Sequence, residues 1–383
     1  MKYIHNIPTS TEYKNNKDMK QIIINGANGY IASHFINELL SNNFEVTALI
    51  RKSKNQQPSH RMQKVLAEIN DPDFMLPKRL RVYEYTLTEE NFSFTDEQLP
   101  LIFSQPVDYF HFAASLKYDF KSKDEIFETN LAGVENSLNI FSKYAHKNSR
   151  FFFISTAYSC GRMTEPFKEE FYENEDIASF RNYYEQSKRY AENIVRRYIE
   201  QQHINGHILR LSQIVGNSKT GVTNTDYGIF DFAKRVYSLS KTYPNSTIRV
   251  CIDPDSAQNL LPIDMVTKYL MKTVQIDHLP VILNFVAKNS IKNAHIIDSL
   301  NNLLPIKLIP VKTLSSSDMT AWERMISIGM SFTGSYSNTN LIFETKNLDK
   351  ITNAGTNEVN PAAISWMLEY FLDALSLKKQ NVS

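Results

Sequence analysis

The chain holds 383 residues, 42 of them basic and 41 acidic, for a net charge of +1. That balance leaves no electrostatic footprint for nucleic acid. The two cysteines, Cys160 and Cys251, make neither a disulfide framework nor a zinc pattern, so a reducing cytoplasm and no metal site are expected.

In chain order, residues 1–19 read as a polar tail without the apolar core of a signal peptide. Gln21–Asn25 is a short β-branched run, read as a buried strand, followed by a glycine turn and an amphipathic helix to about Leu40. Strands are then predicted over Phe44–Ile50, Arg81–Tyr85, Val107–Phe112, Arg150–Ser155 and His207–Leu211. Helices are predicted around Arg61–Ile69, over Glu125–Tyr144 and over Tyr183–Gln201. No apolar run reaches the length of a membrane span. Strands alternating with helices imply an α/β fold, with a parallel sheet covered on both faces.

After Gly216 the pattern loosens into SKTGVTNTDYG, a helix near Phe230–Ser240, strand-like pieces at Thr247–Ile252 and Val281–Val286, and an amphipathic packing helix over Ala362–Leu377. The expected organisation is a doubly wound sheet domain over 20–215 and a smaller substrate-binding lobe, mainly 216–383, with strand 281–286 returning to the sheet.

IIINGANGYIASHFINELL places Gly26, Gly29 and Ala32 between a strand and a helix. Gly26 permits a tight turn, Gly29 lets the backbone approach a pyrophosphate, and Ala32 lets the helix lie close to the sheet. The helix N-terminus adds N–H groups and a positive dipole end. This is a Rossmann-type dinucleotide site, with Asn28, Tyr30 and Ile31 completing the turn. Dinucleotide sites for NAD often carry an acid after the second strand; here Arg51 and Lys52 stand there. Arg51 suits a 2′-phosphate in bidentate fashion, so NADP(H) is preferred over NAD(H).

Tyr184 and Lys188 are four apart in a predicted helix and therefore share a face. A neighbouring ammonium is expected to lower the phenol pKa from about 10 and fit the tyrosine for proton transfer. Ser155 and Thr156 end the fifth strand, at the sheet edge where ligands of such folds bind. Either hydroxyl suits a carbonyl oxygen that gains negative charge. His111, inside a strand, reads as a core histidine.

These stretches, with VDYFHFAAS, ETNLAGVENSLNIF and LRLSQIVGNSKTG, resemble the extended short-chain dehydrogenase/reductase superfamily from about Gln21 to Gly221. STAYSCG, NYYEQSKRYAE and IVGNSKTG are most similar to its thioester reductase and fatty acyl-CoA reductase branch. The resemblance implies a catalytic trio of Thr156, Tyr184 and Lys188, with Ser155 adjacent and Asn130 supporting a proton relay. It implies cofactor contacts from Ala113, Ala114, Lys188 and the segment from Leu211 through Gln213 to Ile214. Tyr85-Thr86-Leu87 stands where the branch usually has Gly-Asp-Leu.

The implied activity is NADPH-dependent reduction of an acyl thioester to an aldehyde, with a second hydride taking it to an alcohol. The acyl group would be a small molecule on coenzyme A or tethered to a carrier protein supplied in trans. A ketone or aldehyde reductase, an NAD-dependent sugar-nucleotide epimerase or dehydratase, and a non-catalytic Rossmann scaffold or redox sensor are the alternatives.

Overall fold

The computed structural model describes residues 21–329, 336, 338–352 and 358–380; the expected tail over 1–19 lies outside them. Seven parallel strands form the central sheet. In chain order they are β1 (Gln21–Asn25), β2 (Val46–Arg51), β3 (Leu80–Tyr85), β4 (Val107–His111), β5 (Arg150–Thr156), β6 (Gly206–Leu211) and the strand Ile282–Phe285. Their order across the sheet is Ile282–Phe285, β6, β5, β4, β1, β2, β3. The order reverses between β1 and β4, which is the crevice where dinucleotides bind in such sheets.

The strand composition explains why both faces are covered. All five residues of β1 and all seven of β5 are buried. Successive side chains point to opposite faces. Ile22, Ile24, Phe110, Phe152 and Leu209 join one apolar core, while Ile23, Tyr109, Phe151, Phe153 and Ile208 join the other. Ring stacking ties neighbouring strands together, with Phe110 and Phe152 at 4.4 Å and Tyr109 and Phe151 at 5.3 Å between centroids. Each fully buried ring of this kind contributes about 1.5–3 kcal/mol relative to exposure.

The helix Tyr30–Ser41 lies on the first face, and Tyr183–Glu200 and Gly133–Tyr144 on the second. The helix expected from Glu125 begins at Lys123 and contains a π-helical turn over Glu128–Ala132. The helix Ile263–Gln275, which the sequence reading left out, packs against Tyr30–Ser41. Part of the chain beyond Gly216 therefore serves the sheet domain. Further out, Thr247–Cys251 pairs with Lys307–Val311, and Gln213–Val215 with Leu260–Pro262, both in parallel. The terminal helix Pro361–Gln380 closes the first core through Ile364, Met367, Leu368 and Phe371. Among the described residues no helix is long and apolar enough to cross a membrane.

Candidate active site

A cavity of about 380 Å³ runs along the carboxyl ends of the strands. The glycine turn forms one wall. Gly26 has φ +62°, and a Cβ there would meet the backbone nitrogen of Ala113 at 2.9 Å. Gly29 donates its N–H to the Gly26 carbonyl at 2.9 Å, which closes the turn. Below it, the Asn25 side chain joins β1 to β4: its oxygen accepts from the Ala113 N–H at 2.9 Å, and its amide lies 2.9 Å from His111 Nδ1. His111 is fully buried, and burial, with the nearby charge of Lys188, drops its pKa to about 3. It is a neutral core group over the ordinary pH range.

The helix Tyr183–Glu200 carries its own start signal: Asn182 accepts the Glu185 N–H at 3.0 Å through its side chain. That cap aims Tyr184 and Lys188 at the cavity, which both line. Lys188 Nζ lies 6.0 Å from the Tyr184 ring centroid and donates to the Ile154 carbonyl at 2.9 Å. Burial lowers the Lys188 pKa to about 7, against the opposing pull of Glu192. The Tyr184 phenol moves the other way: burial first, then the Glu185 charge, raises it well above its usual value. The expected lowering is therefore corrected in the protein alone, because desolvation penalises the phenolate and also discharges the ammonium meant to favour it.

Thr156 lines the cavity, its hydroxyl donating to the Leu211 carbonyl at 3.2 Å and accepting the Tyr158 N–H at 3.2 Å. Ser155 also borders the space, but its hydroxyl is committed to Glu192. Glu192 further accepts from Ser159 at 3.0 Å and pairs with Arg210 at 2.7 Å, all of them buried. Both strand-end residues border the cavity, and each hydroxyl already donates within the protein, Thr156 to a backbone carbonyl and Ser155 to a buried carboxylate. Asn130 sits in the π-helical turn, a device common at functional sites. It does not border the cavity; it grips the Ser115 backbone at 2.7 Å and donates to Ser187 at 2.9 Å, one residue before Lys188.

Of the expected cofactor residues, Gly26, Gly29, Tyr30, Ile31, Ala114, Lys188, Leu211, Gln213 and Ile214 line the cavity. Asn28 and Ala113 lie in the same turn and crossover without bordering it. Arg51 and Lys52 are exposed at the end of β2, beyond the cavity wall. Arg61, from the helix Pro58–Ala67, donates to the Arg51 carbonyl and adds a third cation there. Tyr85, at the departure from Gly-Asp-Leu, accepts the Gly26 N–H on its hydroxyl at 3.3 Å and so anchors the glycine turn.

Ser212 lines the cavity too, within the expected Leu211–Ile214 segment, whereas Tyr118, Tyr158, the loop from Asn224 to Gly228, and Tyr336 escaped the sequence reading. The polar loop TNTDYG was visible as an irregular stretch after a strand, which is a usable signal. Tyr336 was not visible. It arrives from the far end of the chain and donates to buried Glu185 at 2.6 Å, while Asn182 donates to it at 3.1 Å.

Among solved structures, the chain resembles the terminal R domain from the myxalamid PKS-NRPS biosynthetic pathway, at 16% identity and TM-score 0.74, over 95% of this chain and 93% of that one. It resembles a thiolation-reductase di-domain from an archaeal non-ribosomal peptide synthetase at 18% identity and TM-score 0.72, over 94% and 76%. A UDP-galactose 4-epimerase follows at 15% identity and TM-score 0.63, over 93% and 99%. At these identities the likeness establishes the fold alone, a parallel Rossmann-like sheet flanked by helices. No curated protein matches the chain. A family model matches residues 24–270, well over half the chain, and the protein thereby belongs to the NAD-binding family described as Male sterility protein.

Proposed function

We propose that the chain reduces an acyl thioester to the aldehyde with NADPH. The observation that carries this reading is the meeting of Thr156, Tyr184 and Lys188 with Gly26 and Gly29 around one cavity. The cradle fits a dinucleotide, since Gly26 and Gly29 line the cavity where the helix Tyr30–Ser41 starts without a side-chain cap. Gly26, Gly29, Tyr30 and Ile31 would hold its phosphates and ribose, with Asn28 in the turn, and Ala113, Ala114, Leu211 and Ile214 would border the nicotinamide half. Arg51, helped by Lys52 and Arg61, would select the 2′-phosphate. The bound cofactor supplies the hydride.

The rest is work for this chain's side chains. Thr156 and Tyr184 hydrogen-bond the substrate carbonyl oxygen and stabilise the charge it gains. A hemithioacetal forms and its C–S bond then breaks to give aldehyde and thiol; the one proton taken up, first on the oxyanion and finally on the departing thiol, comes from Tyr184. Its raised pKa suits the task, because the phenol stays protonated until a strong base forms beside it. Lys188 binds the cofactor ribose. Asn130 positions the helix through Ser187. The likeness to two reductase domains, one of them joined to a thiolation domain, supports a thioester over a free carbonyl and a carrier protein as acyl donor.

The test follows NADPH consumption by the purified protein with acyl-coenzyme A and acyl-carrier thioesters beside the matching aldehydes and ketones. Thiol release with NADPH oxidation supports thioester reduction. Turnover of free carbonyls alone reassigns the same trio to a carbonyl reductase. Tightly retained NAD without any turnover reassigns the site to sugar-nucleotide chemistry.

A further inference from the structure

Two buried polar groups in the cavity have no partner among the described residues: the hydroxyl of Ser212, which is 5% exposed, and the side-chain amide nitrogen of Gln213. Leaving such groups unsatisfied costs about 1–3 kcal/mol each, so a built site normally returns the cost through a ligand. They are held firmly. The Ser212 N–H donates to the Phe285 carbonyl at 3.0 Å, and Gln213 belongs to the strand paired with Leu260–Pro262.

Across from them stands Gly228, at φ +61°, opening the helix Ile229–Thr242 with no side-chain cap. A Cβ on Gly228 would fall 1.7 Å from the Gln213 amide nitrogen, so that amide occupies the place of a side chain against the helix start. Ser212, Gln213 and Gly228 line the same part of the cavity wall; of the first helical turn, the Phe230 N–H is taken by the Tyr227 carbonyl at 3.2 Å, which leaves those of Ile229 and Asp231 as its donors.

The electrostatics limit what fits there. Asp226 and Asp231 flank the corner, paired with Lys234 at 3.4 Å and Arg235 at 3.0 Å. No unpaired cation is added by those residues, so a neutral acceptor such as an amide carbonyl suits the corner better than a phosphate. Its place is also defined. Leu211 lies opposite Thr156 in register, and Gln213 follows two residues later, about 7 Å along an extended chain. The neighbouring Tyr227 is 58% exposed, whereas Thr156 and Lys188 are buried, so this corner is on the mouth side of the reacting groups.

We propose that Ser212, Gln213 and the first turn of Ile229–Thr242 seat the first amide of the thiol arm of the substrate. That is the cysteamine amide, a few bonds beyond the thioester sulfur, common to coenzyme A and to carrier-borne pantetheine. The proposal rests on the thioester reading above. It moves the Gln213 side chain from the cofactor to the substrate.

The experiment compares hexanoyl and benzoyl thioesters of N-acetylcysteamine with butyl thioesters of the same acids, which lack the amide. Wild type, Gln213→Leu and Ser212→Ala are assayed, with KM for NADPH measured in each. We expect wild type to favour the amide-bearing thioesters by at least about 10-fold in kcat/KM. Gln213→Leu should collapse that ratio towards one, and Ser212→Ala should reduce it partway, so the case does not hang on one variant's folding. Hexanoyl-coenzyme A and a hexanoyl carrier protein both keep the amide, so both should lose efficiency in Gln213→Leu, and the better of the two in wild type identifies the source of the arm. A ratio near one in wild type, or a ratio untouched by both substitutions, overturns the subsite. Equal losses on all thioesters with a raised KM for NADPH overturn it in favour of a nicotinamide contact. Turnover of aldehydes with no thioester reduced at all sinks the thioester reading and this subsite with it.

Discussion

The hydroxyl of Ser155, at the end of β5, donates to the carboxylate of Glu192 at 2.5 Å. Glu192 is buried and answers Arg210, so Ser155 belongs to an internal ion network. Thr156, one residue on, keeps only a carbonyl and an N–H as partners and borders the cavity. Two adjacent hydroxyls thus have separable roles. Thr156→Val should lower kcat by about 10²–10³-fold, the range for losing one oxyanion donor, and also cost stability, because the Tyr158 N–H and the Leu211 carbonyl lose a partner. Ser155→Ala should have a modest kcat effect and a loss of about 1–3 kcal/mol, because a buried carboxylate loses a donor. Steady-state kinetics and urea unfolding on the two variants separate the roles; equal kcat losses would refute the division.

Lys188 makes stability depend on pH. Its folded pKa is about 7 against 10.5 in the unfolded chain. Between those values the unfolded state binds more protons, so the cofactor-free protein should gain stability as pH rises from 7 towards 9. Each pKa unit of that gap corresponds to about 1.4 kcal/mol. Lys188→Met removes the titrating group and should flatten the slope. Urea midpoints at several pH values in this window check it; an unchanged slope in the variant would place the pH dependence elsewhere.

Arg51 and Arg61 meet at the end of β2, where Arg61 donates to the Arg51 carbonyl. Arg51→Ala should raise KM for NADPH by about 10-fold or more, the loss of one charge-assisted phosphate contact, and leave KM for NADH nearly unchanged. Arg61→Ala should act in the same direction, more weakly. A parallel rise for both cofactors would mean that these cations support the loop and do not select the phosphate.

What the sequence displayed was mostly local. The all-buried runs of β1 and β5, the glycine turn and the four-residue spacing of Tyr184 and Lys188 each declare themselves within a few residues. The helix Ile263–Gln275 starts after Pro262 without a side-chain cap, so the single acid Asp264 in its first turn is a weak start signal and the helix was missed. The orientation of Ser155 depends on Glu192, on another element, and the proton affinities depend on burial, which spacing does not reveal. Tyr336 joins the site only through tertiary packing.

That distant tyrosine supplies the sharpest test of how the C-terminal part supports the site. Tyr336 donates to Glu185 at 2.6 Å, and Arg181 lies 3.5 Å from the same carboxylate oxygen. Glu185 neighbours Tyr184, and burial raises its pKa above 4.5 even with these partners. A carboxyl with a raised folded pKa costs stability as pH rises through its unfolded value, because the folded state then holds the extra proton. Tyr336→Phe removes a donor to the ionised form and should raise that pKa further. The variant should therefore lose about 1–3 kcal/mol at pH 8 and distinctly less at pH 5, where the carboxyl is closer to protonation. Urea unfolding at the two pH values reads the difference. A deficit independent of pH would assign the effect to Asn182, whose amide donates to the Tyr336 hydroxyl at 3.1 Å, and leave Glu185 out of it.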